Sequence, residues 1–167
     1  LPSDTGVGNL GADAYRYIDF LNASGVSIWQ ICPLGPTGYG DSPYQCFSVF
    51  AGNPYFIDLQ PLLKESLITE EECVSLKDLP RDHVDYGALY SEIWPILRLA
   101  YDRFKSSKKK QLLDYGTVAK FRKNQGHWLE DYVLFTSLKE SFGGECWLEW
   151  PSEYRDARLA KSAQLSS

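Results

Sequence analysis

Methionine is missing from the 167-residue chain, and histidine occurs only at His83 and His127. No apolar run approaches the ~18 residues that a membrane span needs, and residues 1–20 carry neither a basic n-region nor an apolar h-region. Two histidines far apart, with no C-x-x-C pair beside them, give no metal-ligand pattern. The chain has no G-x-S-x-G and no Ser or Cys with a credible His partner, which argues against a nucleophilic triad. Cys32, Cys46, Cys73 and Cys146 lack compact spacing, so reduced and partly buried thiols are expected rather than a disulfide framework. Positive charge is also in short supply, with 17 Lys+Arg against 22 Asp+Glu, a net charge of −5. That balance gives no reason to propose nucleic acid as a partner. Because the chain opens at Leu1 with no Met, it is expected to be a piece of something longer.

What is present is ordinary globular material, 44% hydrophobic and 23% charged. The length predicts one domain, or one domain with an appendage. Over residues 10–24, Ala14, Tyr17, Ile18 and Leu21 fall at i, i+3, i+4 and i+7, predicting a helix with one buried face. Asn9 suits its N-cap and Gly25 its C′ position. Residues 26–32 (VSIWQIC) follow as a short apolar run, expected to be a buried strand. Helix, turn and buried strand make half of a βαβ unit, whose first strand would lie just before Leu1.

Residues 33–54 hold four Pro, four Gly and four aromatics. Such a stretch is neither helix nor central strand, and a loop of that length in a compact domain is usually functional. Residues 55–59 (YFIDL) predict a brief strand or extended piece. Beyond residue 60 the pattern turns helical. Thr69 and Glu72 have the form of a capping box. A helix is expected over 91–105 with Pro95 in its first turn, then a polar helix over 107–124. A stronger helix over 126–142 presents Trp128, Leu129, Tyr132, Val133, Thr136 and Leu138, stopped by Gly143-Gly144. A polar helical tail runs on to Ser167. No repeat or low-complexity segment occurs.

The segment Gly6-Val7-Gly8-Asn9-Leu10-Gly11 matches G-x-G-x-x-G. A dinucleotide site also needs a preceding strand and an acidic residue ~20 positions on; residues 28–32 offer no carboxylate, so a Gly-rich turn is the better reading. Lys108-Lys109-Lys110 reads as a solvated helix face. Glycoside chemistry needs two carboxylates across a sugar, but spacing alone nominates no pair. Asp41 sits in the long loop, where an Asx-type turn before Ser42-Pro43 is an equally physical role. Asp58 suits a helix N-cap or the end of an extended run. The aromatics Trp29, Tyr39, Tyr44 and Phe47 lie in or beside this loop. In α/β barrels, loops at the strands' C-terminal ends build the active face, and aromatic rings suit the apolar C–H faces of sugars. Filling the core beneath the loop is the competing role, above all for Phe47 and Phe50, whereas a tyrosine keeps a polar tip for the surface.

The run WQICPLGPTGYGDSPYQCFSVFAGNPYFIDL at 29–59 resembles the 4-α-glucanotransferases of glycoside hydrolase family 77. Supporting it in order are GVGNLG at 6–11, HVDYGALY at 83–90, HWLEDYVLFTSLKESFGG at 127–144 and W-x-x-WP at 147–151. The resemblance implies an α/β fold, the N-terminal part of a (β/α)8 TIM barrel at 1–59, followed by a mainly helical insertion subdomain at 60–167. It implies transfer of α-1,4-glucan segments between malto-oligosaccharides by retaining double displacement, with an Asp nucleophile, a Glu acid/base and a second Asp. Those carboxylates belong to barrel segments downstream of this chain, so no catalytic residue is assigned here and the piece is expected to be inactive alone. Ser42, Pro43 and Tyr44 match the loop near the scissile bond, with Asp41 beside them, and Tyr39 and Tyr90 match positions suited to stacking a longer glucan. Cys46 stands where many relatives have Ser, and Asn9 where many have Asp. The implied partners are an α-1,4-glucan, a glucose acceptor and the rest of the same enzyme, with no cofactor, nucleic acid or membrane, in the cytoplasm. A non-catalytic glucan-binding module is the competing function.

Overall fold

The structure, a computed structural model, describes residues 3–107, 111–112, 115–156 and 160. They form two compact units, Leu1–Tyr115 and Gly116–Ser167.

In the first unit, helix α1 covers Ala12–Ala23. Its start lies two residues beyond expectation, because the Asn9 side chain accepts from the Gly11 amide (3.0 Å) and Gly11 becomes the N-cap. Its end follows the sequence closely. Gly25 takes φ +75°, its N–H reaches the Asn22 carbonyl and that of Val26 reaches Leu21, a Schellman closure. The expected buried stripe does not form: Ala14 is buried, while Tyr17 and Ile18 are exposed. Residues 26–32 are not a strand either. They carry no ladder partners, and Ile28, Trp29 and Ile31 are exposed. A parallel strand of this composition exists only between neighbours and under covering helices; among the described residues none flanks it.

The main core gathers later elements. It contains α2 (Gln60–Lys64), a 3₁₀ helix over Glu71–Asp78 and α3 (Tyr86–Ser106). Leu59, Leu67, Ile68, Cys73, Leu76, Leu89, Ile93, Ile96 and Ala100 are buried together. The capping box forms as the sequence indicates: Thr69 N donates to Glu72 Oε2 (2.9 Å) and Glu72 N to Thr69 Oγ1 (3.4 Å). Arg103 on α3 then grips Glu72 through two bonds of 2.7 and 2.6 Å and donates to the Leu67 carbonyl (3.2 Å), tying α3 to the 3₁₀ segment. Helix α3 begins five residues earlier than expected because Asp85 caps the Ala88 amide (2.9 Å). Pro95 therefore lies in the interior of α3 rather than its first turn. Residues 55–59 are expected to be a brief strand or extended piece, but Tyr55 and Phe56 belong to a 3₁₀ turn, Pro54–Phe56, capped by Asn53.

Of the polar helix expected over 107–124, residues 118–124 are helical, while two-residue strands stand before them at Gln111–Leu112 (β1) and Gly116–Thr117 (β2). Lys108-Lys109-Lys110 lies outside the described residues, as does most of the expected C-terminal tail. The second unit is built on α4, Val118–Ser141, capped by Thr117 on the Lys120 amide (3.1 Å) and continuous through Gly126. Its core is Leu134, Leu138, Trp150 and Ala160, with Phe135, Phe142 and Tyr154 against it. Leu138 is thus confirmed inside, whereas Val133 is exposed. Gly143 and Gly144, both at positive φ, stop the helix as expected, and Lys139 Nζ donates to the Gly144 carbonyl (2.8 Å). All four cysteines are free, but Cys32 and Cys146 are exposed rather than partly buried. Among the described residues no helix is long and apolar enough to cross a membrane, and no three His, Cys, Asp or Glu side chains gather as a metal site.

Candidate functional site

The proline- and glycine-rich stretch 33–54 folds back on itself as a narrow hairpin. At its base Asn53 N donates to the Leu34 carbonyl (2.8 Å), and the Asn53 side chain accepts from the Tyr55 amide (3.0 Å). Asn53 is a buried polar residue, and these bonds satisfy it. Midway, Thr37 and Cys46 form an antiparallel bridge. Gly35 is bare because a Cβ there would stand 2.7 Å from the Ser48 carbonyl oxygen and 3.0 Å from Cys46 Sγ. The two limbs are too close for any other residue.

The tip carries the candidate residues. Asp41 N reaches the Gly38 carbonyl (3.2 Å), and Gly40 and Asp41 both adopt positive φ, +75° and +52°. For Asp41 this conformation is tolerated better than for most side chains, and it turns the chain sharply into Ser42. A turn over residues 42–45 closes with Gln45 N on the Ser42 carbonyl (3.0 Å), Tyr44 N on Ser42 Oγ (3.4 Å), and the Cys46 thiol on the Pro43 carbonyl (2.8 Å). Tyr44 stands 78% exposed on this braced turn. The Tyr39 side chain lies outside the described residues, though its backbone belongs to the short helical turn Tyr39–Asp41.

Tyr90 comes to the same neighbourhood from α3. Tyr86, Tyr90 and Trp94 recur every four residues and line one face of that helix. Tyr90 and Trp94 meet edge to face at 6.1 Å, and Tyr86 meets Tyr55 at 6.1 Å. Tyr55 joins the two sources. Burial, then the charge of Asp41, then Tyr90 push its phenol above the ordinary tyrosine range, against a hydrogen bond from Trp94 that lowers it. Asp41 and Tyr90 thus both act on Tyr55, while Ser42, Pro43 and Tyr44 follow one another on the tip. Sequence reasoning missed Tyr55, Tyr86 and Trp94. The four-residue spacing on α3 was the available signal for the latter two.

The Gly-rich segment serves packing. Gly6 has φ +73° and its missing Cβ makes room for Leu79 at 2.5 Å; Gly11 does the same for the Asp58 carboxylate. Asp4, Asp13 and Asp58 line the groove of about 680 Å³ around it together with Arg16 and Arg81, and the two arginines are paired with Asp13 and Asp4. Asp58 accepts from the Gln60 amide (3.1 Å) ahead of α2. His83 pairs with Asp82 (2.9 Å) in the open, and that bond holds the Asp82 carboxyl below the usual range.

The chain thus offers an exposed tyrosine on a braced tip, an aromatic face on α3, and the Asp41 carboxylate, whose charge acts on Tyr55. A family model described as 4-alpha-glucanotransferase of glycoside hydrolase family 77 matches residues 1–167. The chain belongs to glycoside hydrolase family 77. A 4-alpha-glucanotransferase of Thermus thermophilus is 45% identical over 98% of the chain, and one of Clostridium butyricum 40% identical over 99%. Each time the chain spans 32% of the relative's length. The solved amylomaltase of Streptococcus agalactiae in complex with acarbose superposes with a TM-score of 0.82 at 30% identity, covering 99% of this chain and 33% of that one. This glycoside hydrolase 77 chain thus has the fold of about a third of an amylomaltase, a portion that is mostly helical.

Proposed function

We propose that the chain is the N-terminal portion of a 4-α-glucanotransferase and supplies one wall of its glucan cleft. The whole enzyme transfers α-1,4-glucan segments between malto-oligosaccharides, or to glucose, by retaining double displacement. In that chemistry two carboxyls ~5 Å apart act as nucleophile and acid/base. Residues 1–59 belong to the early part of a (β/α)8 barrel and 60–167 to a mainly helical insertion. The tip residues Asp41, Ser42, Pro43 and Tyr44 face the sugar near the scissile bond, and Tyr39 and Tyr90 stack a longer glucan. Catalytic carboxylates come from the remainder of the enzyme, which is cytoplasmic and uses no cofactor.

The observation that carries this reading is the bracing of the 42–45 turn, which holds Tyr44 exposed. Pre-fixing an aromatic ring lowers the entropy cost of stacking a sugar. Affinity electrophoresis through amylose tests it: the chain is retarded, and Tyr44→Ala weakens retardation about three- to tenfold. Equal mobility of both proteins with and without amylose would refute it. Incubation with maltotriose separates cleft wall from complete enzyme, since no glucose or longer oligomer is expected from this chain.

A further inference from the structure

We propose that Cys46 is a positioning residue for Tyr44. The inference rests on the reading of the tip as a glucan contact, and it adds how that contact is oriented. Cys46 lies on the second limb of the hairpin, fixed by its bridge to Thr37, and its Sγ sits 2.8 Å from the Pro43 carbonyl oxygen. That carbonyl belongs to the Pro43–Tyr44 peptide. A donor on it fixes the plane of the peptide and, through it, the direction of the Tyr44 Cα–Cβ bond. The proline ring already restricts φ at residue 43, so the thiol governs the rotation that remains.

Two further features give the thiol its place. Gly35 on the opposite limb leaves the space in which Cys46 sits, because a Cβ at 35 would press on both Cβ and Sγ of Cys46, at 3.1 and 3.0 Å. The other bonds of the turn end on Ser42, from Gln45 N and Tyr44 N; the bond to Pro43 comes from Cys46 alone among the hydrogen bonds described here. The thiol is half-buried and directed inward, so it holds Tyr44 without touching the sugar.

The test compares Cys46→Ala, which removes the donor, with Cys46→Ser, which keeps one, each alone and combined with Tyr44→Ala. Amylose retardation should fall about threefold in Cys46→Ala and recover in Cys46→Ser, at equal thermal midpoints. In the Tyr44→Ala background Cys46→Ala should add nothing, because both act through one ring. Additive losses, or a serine variant as weak as the alanine one, overturn the proposal. Amide exchange over residues 42–46 supplies a readout that needs no glucan: it should quicken in Cys46→Ala and return to the parent rate in Cys46→Ser. If the parent chain ignores amylose, the glucan reading fails, and exchange alone decides whether the thiol holds the turn: unchanged exchange in Cys46→Ala refutes it.

Discussion

Residues 26–32 and the middle of α3 are written in similar letters, each with isoleucines and a tryptophan, yet they end differently. Leu89 and Ile93 on α3 are fully buried, whereas Ile28 is 82% exposed. Helix α3 finds its partners close by in sequence, in α2 and the Glu71–Asp78 helix. The earlier run has no such company among the described residues. Apolar composition states how much burial a segment requires; whether that burial is met depends on whether its partners belong to the same stretch of chain. In the proposed barrel, neighbouring strands would cover residues 26–32.

The largest effect should come from breaking the satisfied side of this pair. Leu89→Ala removes a fully enclosed side chain between helices and should cost about 3–5 kcal/mol, read as a lower denaturation midpoint. A loss below ~1 kcal/mol would mean the core is looser than its burial implies. Gly6→Ala comes next. It forces a side chain into a left-handed conformation against Leu79, and should cost about 1–3 kcal/mol in the same measurement.

The tie between Arg103 and Glu72 sharpens the comparison through pH. Its hydrogen bonds from Arg103 and then from the Thr69 amide hold the Glu72 carboxyl below the usual range. The folded state therefore favours the ionised form. This stabilisation is complete above the ordinary carboxylate value of ~4.3 and disappears as pH falls through the lowered folded value. Glu72→Gln keeps the capping box but loses the charge, so its midpoint should decline less steeply between about pH 5 and 3 than that of the parent. Parallel profiles would show that the ion pair, part-exposed as it is, contributes nothing measurable.

Local chemistry was legible in the sequence and long-range chemistry was not. The Gly25 closure, the Thr69–Glu72 box and the Gly143-Gly144 stop each depend on residues within a few positions of one another, and each forms. The strand expected at 26–32 needed neighbours that spacing cannot supply. Pro95 suggested a helix start nearby, but the Asp85 cap ten residues before it overrode that signal. Two helices are expected, over 107–124 and 126–142, yet α4 runs unbroken from Val118 through Gly126, a tolerable ~1 kcal/mol weakness in a helix anchored by Leu134 and Leu138. At the site, the tip residues were named from the motif. Cys46 was noted only for standing where many relatives have Ser, and Tyr55 not at all, because their roles depend on what faces them across the hairpin and on α3.

The smallest stability effect belongs to the unsatisfied side. Ile28→Ala deletes an exposed side chain, and its denaturation midpoint should stay within about 0.5 kcal/mol of the parent. Binding of a hydrophobic dye should nevertheless fall, since Ile28, Trp29 and Ile31 expose apolar surface along one short segment. Charged replacements at Ile28 and Ile31 should reduce dye binding further without loss of helix signal. The pairing of these two results matters more than either alone. A large stability loss would mean that residues 26–32 are buried in solution after all, and that the contrast with α3 is false. Unchanged dye binding would place the sticky surface elsewhere, on the exposed Tyr15 and Phe20 of α1. Only a neutral midpoint with reduced dye binding marks a segment whose burial depends on a partner outside it.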